Sequence, residues 1–203
     1  MAALRSYTHD VASVVGLWLC ALHGVSDAWM LDRAAALGHA MQLTNILRDV
    51  GADLRDGRIY LPLDLMQAHR VTPFDLRVMR FGRRPIGIEY RELVEDLMQR
   101  AEADYRFAAD AIPHLPPDFA RSVAIASAIY EGIHDEIRAN AYDNFALRAR
   151  VSLVRKLDLA ARALHRLPNP HHASRSGRYH AGAGSWPSMR NDTRGNANRL
   201  FSK

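Results

Sequence analysis

Cysteine is almost absent from this chain, and so are the long apolar runs that mark membrane spans. The single cysteine, Cys20, cannot form an internal disulfide, so a reducing compartment is expected. No apolar run approaches the roughly 18 residues that a membrane-spanning helix needs. The apolar stretch 11–22 is interrupted by Ser13 and Gly16, and it lacks the basic leader and the cleavage site of a signal peptide. We therefore predict a cytoplasmic protein without a membrane-spanning helix.

Acidic residues are scarce at the C-terminal end, from Ser174 onward. The net charge of the chain is +5, and much of the excess lies in this stretch, where Asp192 is the one acid. The basic residues there are Arg175, Arg178, Arg190, Arg194, Arg199 and Lys203. Large apolar residues are also few after residue 168, so we predict that 169–203 is a disordered basic tail. The remaining chain is close to neutral, which disfavours a nucleic-acid partner.

Alternating strand patterns are absent as well, and helical periodicity fills residues 1–168. The first segment repeats apolar residues at spacings of three and four, which predicts one buried helix face made of Tyr7, Val11, Val14, Trp18 and Leu22. Later helices are predicted over 28–55, from Pro73 onward, and over about 86–111, 118–142 and 152–165, with a loop at 60–62. The sequence therefore predicts an all-α fold in one domain, 1–168.

Four oxygen-bearing side chains share one stripe of the long predicted helix 28–55. At about 100° per residue, Gln42, Asn45, Asp49 and Asp53 fall within roughly 80° of one another. Aspartates on one helix face repel each other mildly, and Mg²⁺ takes carboxylates together with water and substrate phosphate oxygens. The stripe predicts half of a magnesium site, and a solvated acidic face is the alternative that spacing alone leaves open.

Basic residues surround this stripe. Arg48, Arg55 and Arg58 lie on or just after the same helix, and Tyr60 follows its end. Arginine pairs well with phosphate oxygens, and the tyrosine hydroxyl is a further donor. The combination suits a diphosphate bridged by a metal better than it suits a bare metal ion.

The same segment resembles a known family. Residues 42–53, QLTNILRDVGAD, and residues 57–62, GRIYLP, are similar to the second aspartate-rich motif of squalene/phytoene synthases. Residues 7–16 resemble an upstream helix of that family, 128–138 a late helix, and the pair Lys156-Leu157 the end of its pattern. The resemblance runs from about residue 4 to 167. It implies an all-α isoprenoid synthase bundle around an apolar cavity and head-to-head coupling of two prenyl diphosphates.

The resemblance also assigns roles to individual residues. It implies that Asn45, Asp49 and Asp53 hold Mg²⁺, with Mn²⁺ as an alternative ion, and that Gln42 lies beside them. It assigns diphosphate binding to Arg48, Arg58 and Tyr60. It also implies that Asp49, Asp53 and Tyr60 act in catalysis.

Three further residues are expected to bind substrate. Tyr7 and Tyr130 would lie at the cavity, and Arg150 would reach a diphosphate from the far side. From the residues alone, packing in the core is the commoner position for the two tyrosines, and an ordinary surface position is the commoner one for Arg150.

One part of the family pattern is missing from this sequence. The first aspartate-rich motif should precede Tyr7, and the chain begins at Met1; Asp104 and Asp110 are six residues apart and do not share a helix face. We therefore expect the C-terminal part of the family domain, with little or no condensation by residues 1–203 alone.

Three functions are compatible with these observations. The first is condensation of geranylgeranyl diphosphate to phytoene in carotenoid biosynthesis, with prenyl diphosphates as substrates and peripheral association with a membrane as a further expectation. The second is synthesis of squalene or presqualene diphosphate for hopanoids or sterols. The third is a non-catalytic helical remnant. No sequence feature indicates an oligomeric state.

Overall fold

The fold is that of a computed structural model, which describes residues 1–82 and 84–168. The helices are α1 (Ala2–Thr8), a π-helical turn (His9–Ser13), α2 (Val14–Leu22), α3 (Ala28–Arg55), α4 (Leu63–Ala68), α5 (Pro73–Arg80), α6 (Ile88–Ala109), a 3-10 turn (Ile112–His114), α7 (Pro117–Ala139) and α8 (Leu153–Arg166). The described residues contain no β-strand, so the predicted all-α fold is confirmed. The prediction of a disordered tail over 169–203 falls outside the described residues.

Local signals in the sequence set the helix ends. The carboxylate of Asp27 accepts a hydrogen bond from the Met30 N–H at 3.1 Å and caps α3, which then runs 28 residues. The chain leaves α3 through Gly57, whose φ of +73° favours glycine. Thr72 and Asp75 form a capping box at the start of α5. The six-residue helix α4 was not predicted, because fewer than two turns give no readable periodicity.

Helix α3 lies at the centre of the fold and packs most extensively against α6. Its apolar stripe includes Leu43 and Leu47, which are fully buried, and it joins Leu93 and Leu97 of α6 in one core cluster. Each buried leucine contributes about 1.5–3 kcal/mol relative to an exposed one. The rotation of α3 about its own axis is thereby fixed, and with it the direction of the neighbouring stripe of oxygen-bearing side chains.

The predicted buried face of the first segment is wrong. Val11, Trp18 and Leu22 of that face are 44%, 73% and 79% exposed. Small residues of this segment make the contact with α3 instead: the Ser13 hydroxyl donates to the Ala35 carbonyl at 2.7 Å. A Cβ on Gly16 would lie 3.0 Å from the Ala34 carbonyl oxygen. The helices approach so closely that bulky side chains cannot enter the contact and project from the opposite side.

A buried polar contact ties α1 to the centre of the fold. The Thr8 hydroxyl and His39 Nδ1 are 2.6 Å apart, and the other ring nitrogen of His39 lies 3.6 Å from the carboxylate of Asp104 on α6. Burial lowers the pKa of His39, although the charge of Asp104 opposes that shift. Because Thr8 follows Tyr7 directly, this contact also holds Tyr7 in place.

None of the helices that the structure describes is both long and apolar enough to cross a bilayer.

The segment after α7 returns to α3 and touches its backbone. The Gly51 N–H donates to the Asn144 carbonyl at 3.0 Å, and the Asn144 side chain donates to the Leu47 carbonyl. A Cβ on Gly51 would lie 2.7 Å from the Cα of Phe145 and would collide with its carbonyl oxygen. This close approach carries the following residues, including Arg148, across to the stripe on α3.

We expect Gly51→Ala to lower the free energy of unfolding by about 3 kcal/mol, because the new methyl group meets backbone atoms that cannot rotate away. Urea unfolding measures this loss. The matched control is Gly87→Ala, where the added Cβ meets only the flexible end of Glu89, at 2.9 Å. There the loss should be about 1 kcal/mol or less. Equal losses in the two variants would contradict the close approach at Phe145.

Candidate active site

A large cavity opens beside α3. Its volume is about 680 Å³, and α2, α3, the 3-10 turn and the first turns of α7 form its walls. Most of the lining side chains are apolar, and Val11, Val15 and Leu19 of this lining are partly exposed, so the cavity is open to solvent on that side. Gln42 and Asn45 form a polar end on α3, and the other polar residues of the lining are His23, Arg33, Asp118 and Ser122.

Asn45 carries an unsatisfied oxygen at this polar end. Its amide nitrogen lies 3.4 Å from Gln42 Oε1, and its Oδ1 is buried without a hydrogen-bond partner. A buried carbonyl oxygen without a donor costs free energy, and a cation or a donor from a ligand would remove that cost. Asn45 is therefore placed as a ligand-binding residue would be.

Asp53 lies two turns further along α3, in a second and smaller cavity. It shares that lining with Arg58 and Tyr60, which follow the helix end. Tyr7 stacks on Tyr60 with ring centroids 5.2 Å apart and an angle of 20° between the planes. Burial raises the pKa of Asp53, and the neighbouring charge of Asp49 adds to this effect while Arg58 opposes it. A carboxylate that is costly to ionise gains from a nearby cation.

Asp49, between these two positions, is held by arginines. Arg48 donates two hydrogen bonds to its carboxylate at 2.9 and 2.6 Å, and Arg148 donates two more at 2.7 and 3.1 Å. Burial by itself would raise the pKa of Asp49, but the arginine hydrogen bonds and charges outweigh it and lower the pKa from 3.8 to about 2. The side chain of Arg48 therefore lies against the stripe of oxygen-bearing side chains.

A basic cavity of about 270 Å³ adjoins this ion pair. Tyr130 and Arg150, both predicted to bind substrate, line it together with Arg48. Arg148 and Lys156 also line it, and neither was predicted to bind substrate. The cavity thus brings four positive side chains and one tyrosine hydroxyl together, which is an arrangement for an anionic ligand.

Arg150 was predicted from the sequence to bind substrate, whereas Arg148 was not. In an extended segment, residues two apart face the same side, so the Arg-x-Arg pair at 148 and 150 could have pointed to both. The contact between Arg148 and Asp49 spans 99 residues of sequence, and no local pattern encodes it. Lys156 was recognised as part of the family pattern without a role.

The residues predicted to bind metal have suitable chemistry and form an incomplete set. Carboxylate and amide oxygens are the donors that Mg²⁺ prefers, and the partnerless oxygen of Asn45 fits such an ion. Across residues 1–82 and 84–168, no three His, Cys, Asp or Glu side chains come together as a metal site. Asn45, Asp49 and Asp53 line one helix but lie in three different surroundings, so their joint binding of one ion stays a prediction.

Solved structures share this fold. The chain superimposes on a crystal structure of a dehydrosqualene synthase in complex with ligand, with a TM-score of 0.71 and 33% identity, over 80% of this chain and 56% of that one. It also matches a squalene synthase from Alicyclobacillus acidocaldarius with a TM-score of 0.63 and 27% identity, over 68% of this chain and 51% of that one.

Curated relatives agree with this likeness. A phytoene synthase from Thermus thermophilus is 43% identical over 167 residues, which cover 79% of this chain and 55% of the relative. One from Arthrospira platensis is 40% identical, over 76% of this chain and 52% of the relative. The chain thus spans about half the length of the relatives it matches. The family profile described as Squalene/phytoene synthase matches residues 1–156. The chain therefore belongs to the squalene/phytoene synthase family.

Proposed function

We propose that this chain forms part of an enzyme that condenses two molecules of geranylgeranyl diphosphate head-to-head to phytoene, in carotenoid biosynthesis. The observation that carries the proposal is the meeting of a long apolar cavity with oxygen-bearing and basic side chains at one end of α3. A prenyl diphosphate has the same division into an apolar chain and an anionic head. The higher identity to phytoene synthases, 43%, favours phytoene over squalene-type products.

The basic cavity is proposed as the diphosphate site. Arg48, Arg148, Arg150 and Lys156 would neutralise a leaving diphosphate, and the Tyr130 hydroxyl would donate to it. When the C–O bond of the first substrate breaks, its electron pair leaves with the diphosphate. The positive side chains stabilise the negative charge that develops there, so they lower the barrier to this step.

Next to this cavity, on the same half of α3, Asn45, Asp49 and Asp53 would hold Mg²⁺, and Gln42 would lie beside it. A bound Mg²⁺ would supply further positive charge to the diphosphate oxygens. Arg58 and Tyr60 lie at the Asp53 cavity, with Tyr7 stacked on Tyr60, and are proposed to bind the diphosphate from that side. Because Arg48 and Arg148 both hold Asp49, a diphosphate that attracts these arginines would release its carboxylate.

The apolar cavity is proposed to protect the reacting carbons. Loss of the first diphosphate leaves an allylic cation, which bonds to the double bond of the second substrate, and loss of a proton closes a cyclopropylcarbinyl diphosphate. The second diphosphate then leaves, and the rearranged cation loses a second proton to give phytoene. Water would quench such a cation, so the wall must exclude it. Leu37 and Met41 of α3 supply part of this wall next to Gln42.

Cytoplasmic location with peripheral membrane association stays a prediction.

The ion pairs of Asp49 make folding stability depend on pH. Because the folded pKa lies near 2 and the ordinary value is 3.8, ionised Asp49 stabilises the fold above about pH 4, and this is lost as the pH falls toward 2. In urea unfolding between pH 5 and pH 3, we expect Asp49→Asn and Arg148→Gln to lose stability less steeply than the unchanged chain. The matched control is Arg150→Gln, which should keep the original slope. A flattened slope in Arg150→Gln, with none in Arg148→Gln, would contradict the assignment.

The proposed activity is tested by Mg²⁺-dependent product formation from labelled geranylgeranyl diphosphate, with products identified by mass spectrometry. Two polypeptides are compared: residues 1–203, and the same residues joined to the part of the Thermus thermophilus relative that they do not match. We expect the joined polypeptide to make phytoene. Residues 1–203 alone should make little, because one helix supplies only part of the oxygen set that Mg²⁺ requires.

In the joined polypeptide, Asp49→Asn and Asp53→Asn should each lower the rate by orders of magnitude, since a lost metal contact costs several kcal/mol and each 1.36 kcal/mol is about tenfold. Asp56→Asn is the control, an exposed acid at the end of the same helix, and should change the rate by about twofold at most. Squalene or presqualene diphosphate as product would support the second function. Absence of any product would favour a non-catalytic remnant.

A further inference from the structure

The large cavity runs along α3, so the rise of this helix gives the length of the cavity. Asn45 lies at the polar end, Leu37 and Ala34 line the middle, and Met30 lines the far end. Fifteen residues separate Asn45 from Met30, so the lined length of α3 is about 22 Å at 1.5 Å per residue. The cavity is therefore long as well as apolar.

Two other elements end at the far side. Gly38 of α3 lies against Ser13, and Gly16 lies against Ala34, so α2 runs antiparallel to α3 and the residue after α2, His23, lies toward Met30. Helix α7 places Phe119 in its first turn at this cavity and Tyr130 at the basic cavity. These two positions on α7 are about 16 Å apart by the same rise.

His23 and Phe119 meet face to face at the far end. Their ring centroids are 4.1 Å apart and their planes differ by 9°. Phe119 is 8% exposed and belongs to the packed start of α7, whereas His23 remains exposed. Both line the cavity. A stacked pair that joins α2 to α7 closes a space that the neighbouring small residues leave open.

We infer that the stacked pair of His23 and Phe119 is the end wall that sets the length of the prenyl chain. The inference rests on the proposed function, because it assumes that the diphosphate lies at the Asn45 end. An extended carbon chain advances about 1.25 Å per bond, given a C–C bond of about 1.52 Å, so a geranylgeranyl chain measures about 19 Å and a farnesyl chain about 14 Å. A geranylfarnesyl chain, which has one further isoprene unit, measures about 24 Å and is longer than the lined part of α3, which is about 22 Å.

The wall can be tested by binding, without turnover. The probes are the thiolodiphosphate analogues of farnesyl, geranylgeranyl and geranylfarnesyl diphosphate, titrated with Mg²⁺ into residues 1–203 by isothermal calorimetry. The unchanged chain should bind the geranylfarnesyl analogue about tenfold more weakly than the geranylgeranyl one, at the lower end of what an apolar pocket achieves against one extra methylene. In His23→Ala/Phe119→Ala, this ratio should fall below about threefold.

A second variant moves the wall instead of removing it. Ala34 lies eleven residues from Asn45, or about 16 Å along α3. Ala34→Phe should therefore weaken the geranylgeranyl analogue about tenfold and leave the farnesyl analogue within about threefold. His23→Ala alone, at an exposed position, gives a folded variant if loss of Phe119 unfolds the chain, and it should shift the ratio in the same direction. Circular dichroism checks the fold of each variant.

The controls are His9→Ala and Phe74→Ala, an exposed histidine and an exposed aromatic outside the cavity lining, which should leave all three affinities unchanged. If the three analogues bind and neither the wall variants nor Ala34→Phe changes their order, the end wall is refuted and the proposed function stands. If none of the analogues binds, while inorganic diphosphate with Mg²⁺ does, the prenyl cavity itself is refuted. If the analogues bind only the joined polypeptide, the same variants are compared in that polypeptide. If neither the analogues nor inorganic diphosphate binds to residues 1–203 or to the joined polypeptide, the proposed function fails and the wall with it.

Discussion

The burial of one face of α3 against α6 is the constraint on which the rest of the structure depends. Leu43 and Leu47 cannot leave the core without losing several kcal/mol, so the helix has one rotation about its axis. That rotation directs the adjoining stripe toward the cavities, and it places Asn45, Asp49 and Asp53 in order along nine residues of α3. Function-bearing side chains are thus oriented by apolar residues that contact no ligand.

The same stripe offers two different electrostatic environments. Asp49 is neutralised by two arginines and remains ionised far into acid, while burial makes ionisation of Asp53 more costly. The two carboxylates are one helical turn apart, so their difference arises from the partners that other segments bring, chiefly Arg148. At this site the charge of Asp49 is therefore already balanced by arginines, whereas the carboxylate of Asp53 would be stabilised by a cation.

Much of the fold follows from the sequence, because its signals are local. The span of α3, its start at Asp27 and the turn at Gly57 could all be predicted from caps and periodicity. The exposure of Trp18 could not, because the contact surface of α2 consists of small residues that carry no hydropathy signal. For the site, the motif gave the stripe on α3 and the arginines near it, whereas Arg148 reaches Asp49 through a backbone contact at Gly51 that only the folded chain creates.

The π-helical turn between α1 and α2 has a consequence for how this segment can vary. A π-helical turn holds one residue more than the α-helical turn it replaces, and each residue rotates the following side chains by about 100°. Tyr7 and Thr8 precede this turn, and Val15 and Leu19 follow it. Loss of one residue between His9 and Ser13 would swing the stacking tyrosine relative to the cavity wall while every side chain kept its identity. The number of residues in this turn therefore determines which side chains face the cavity, independently of which amino acids they are.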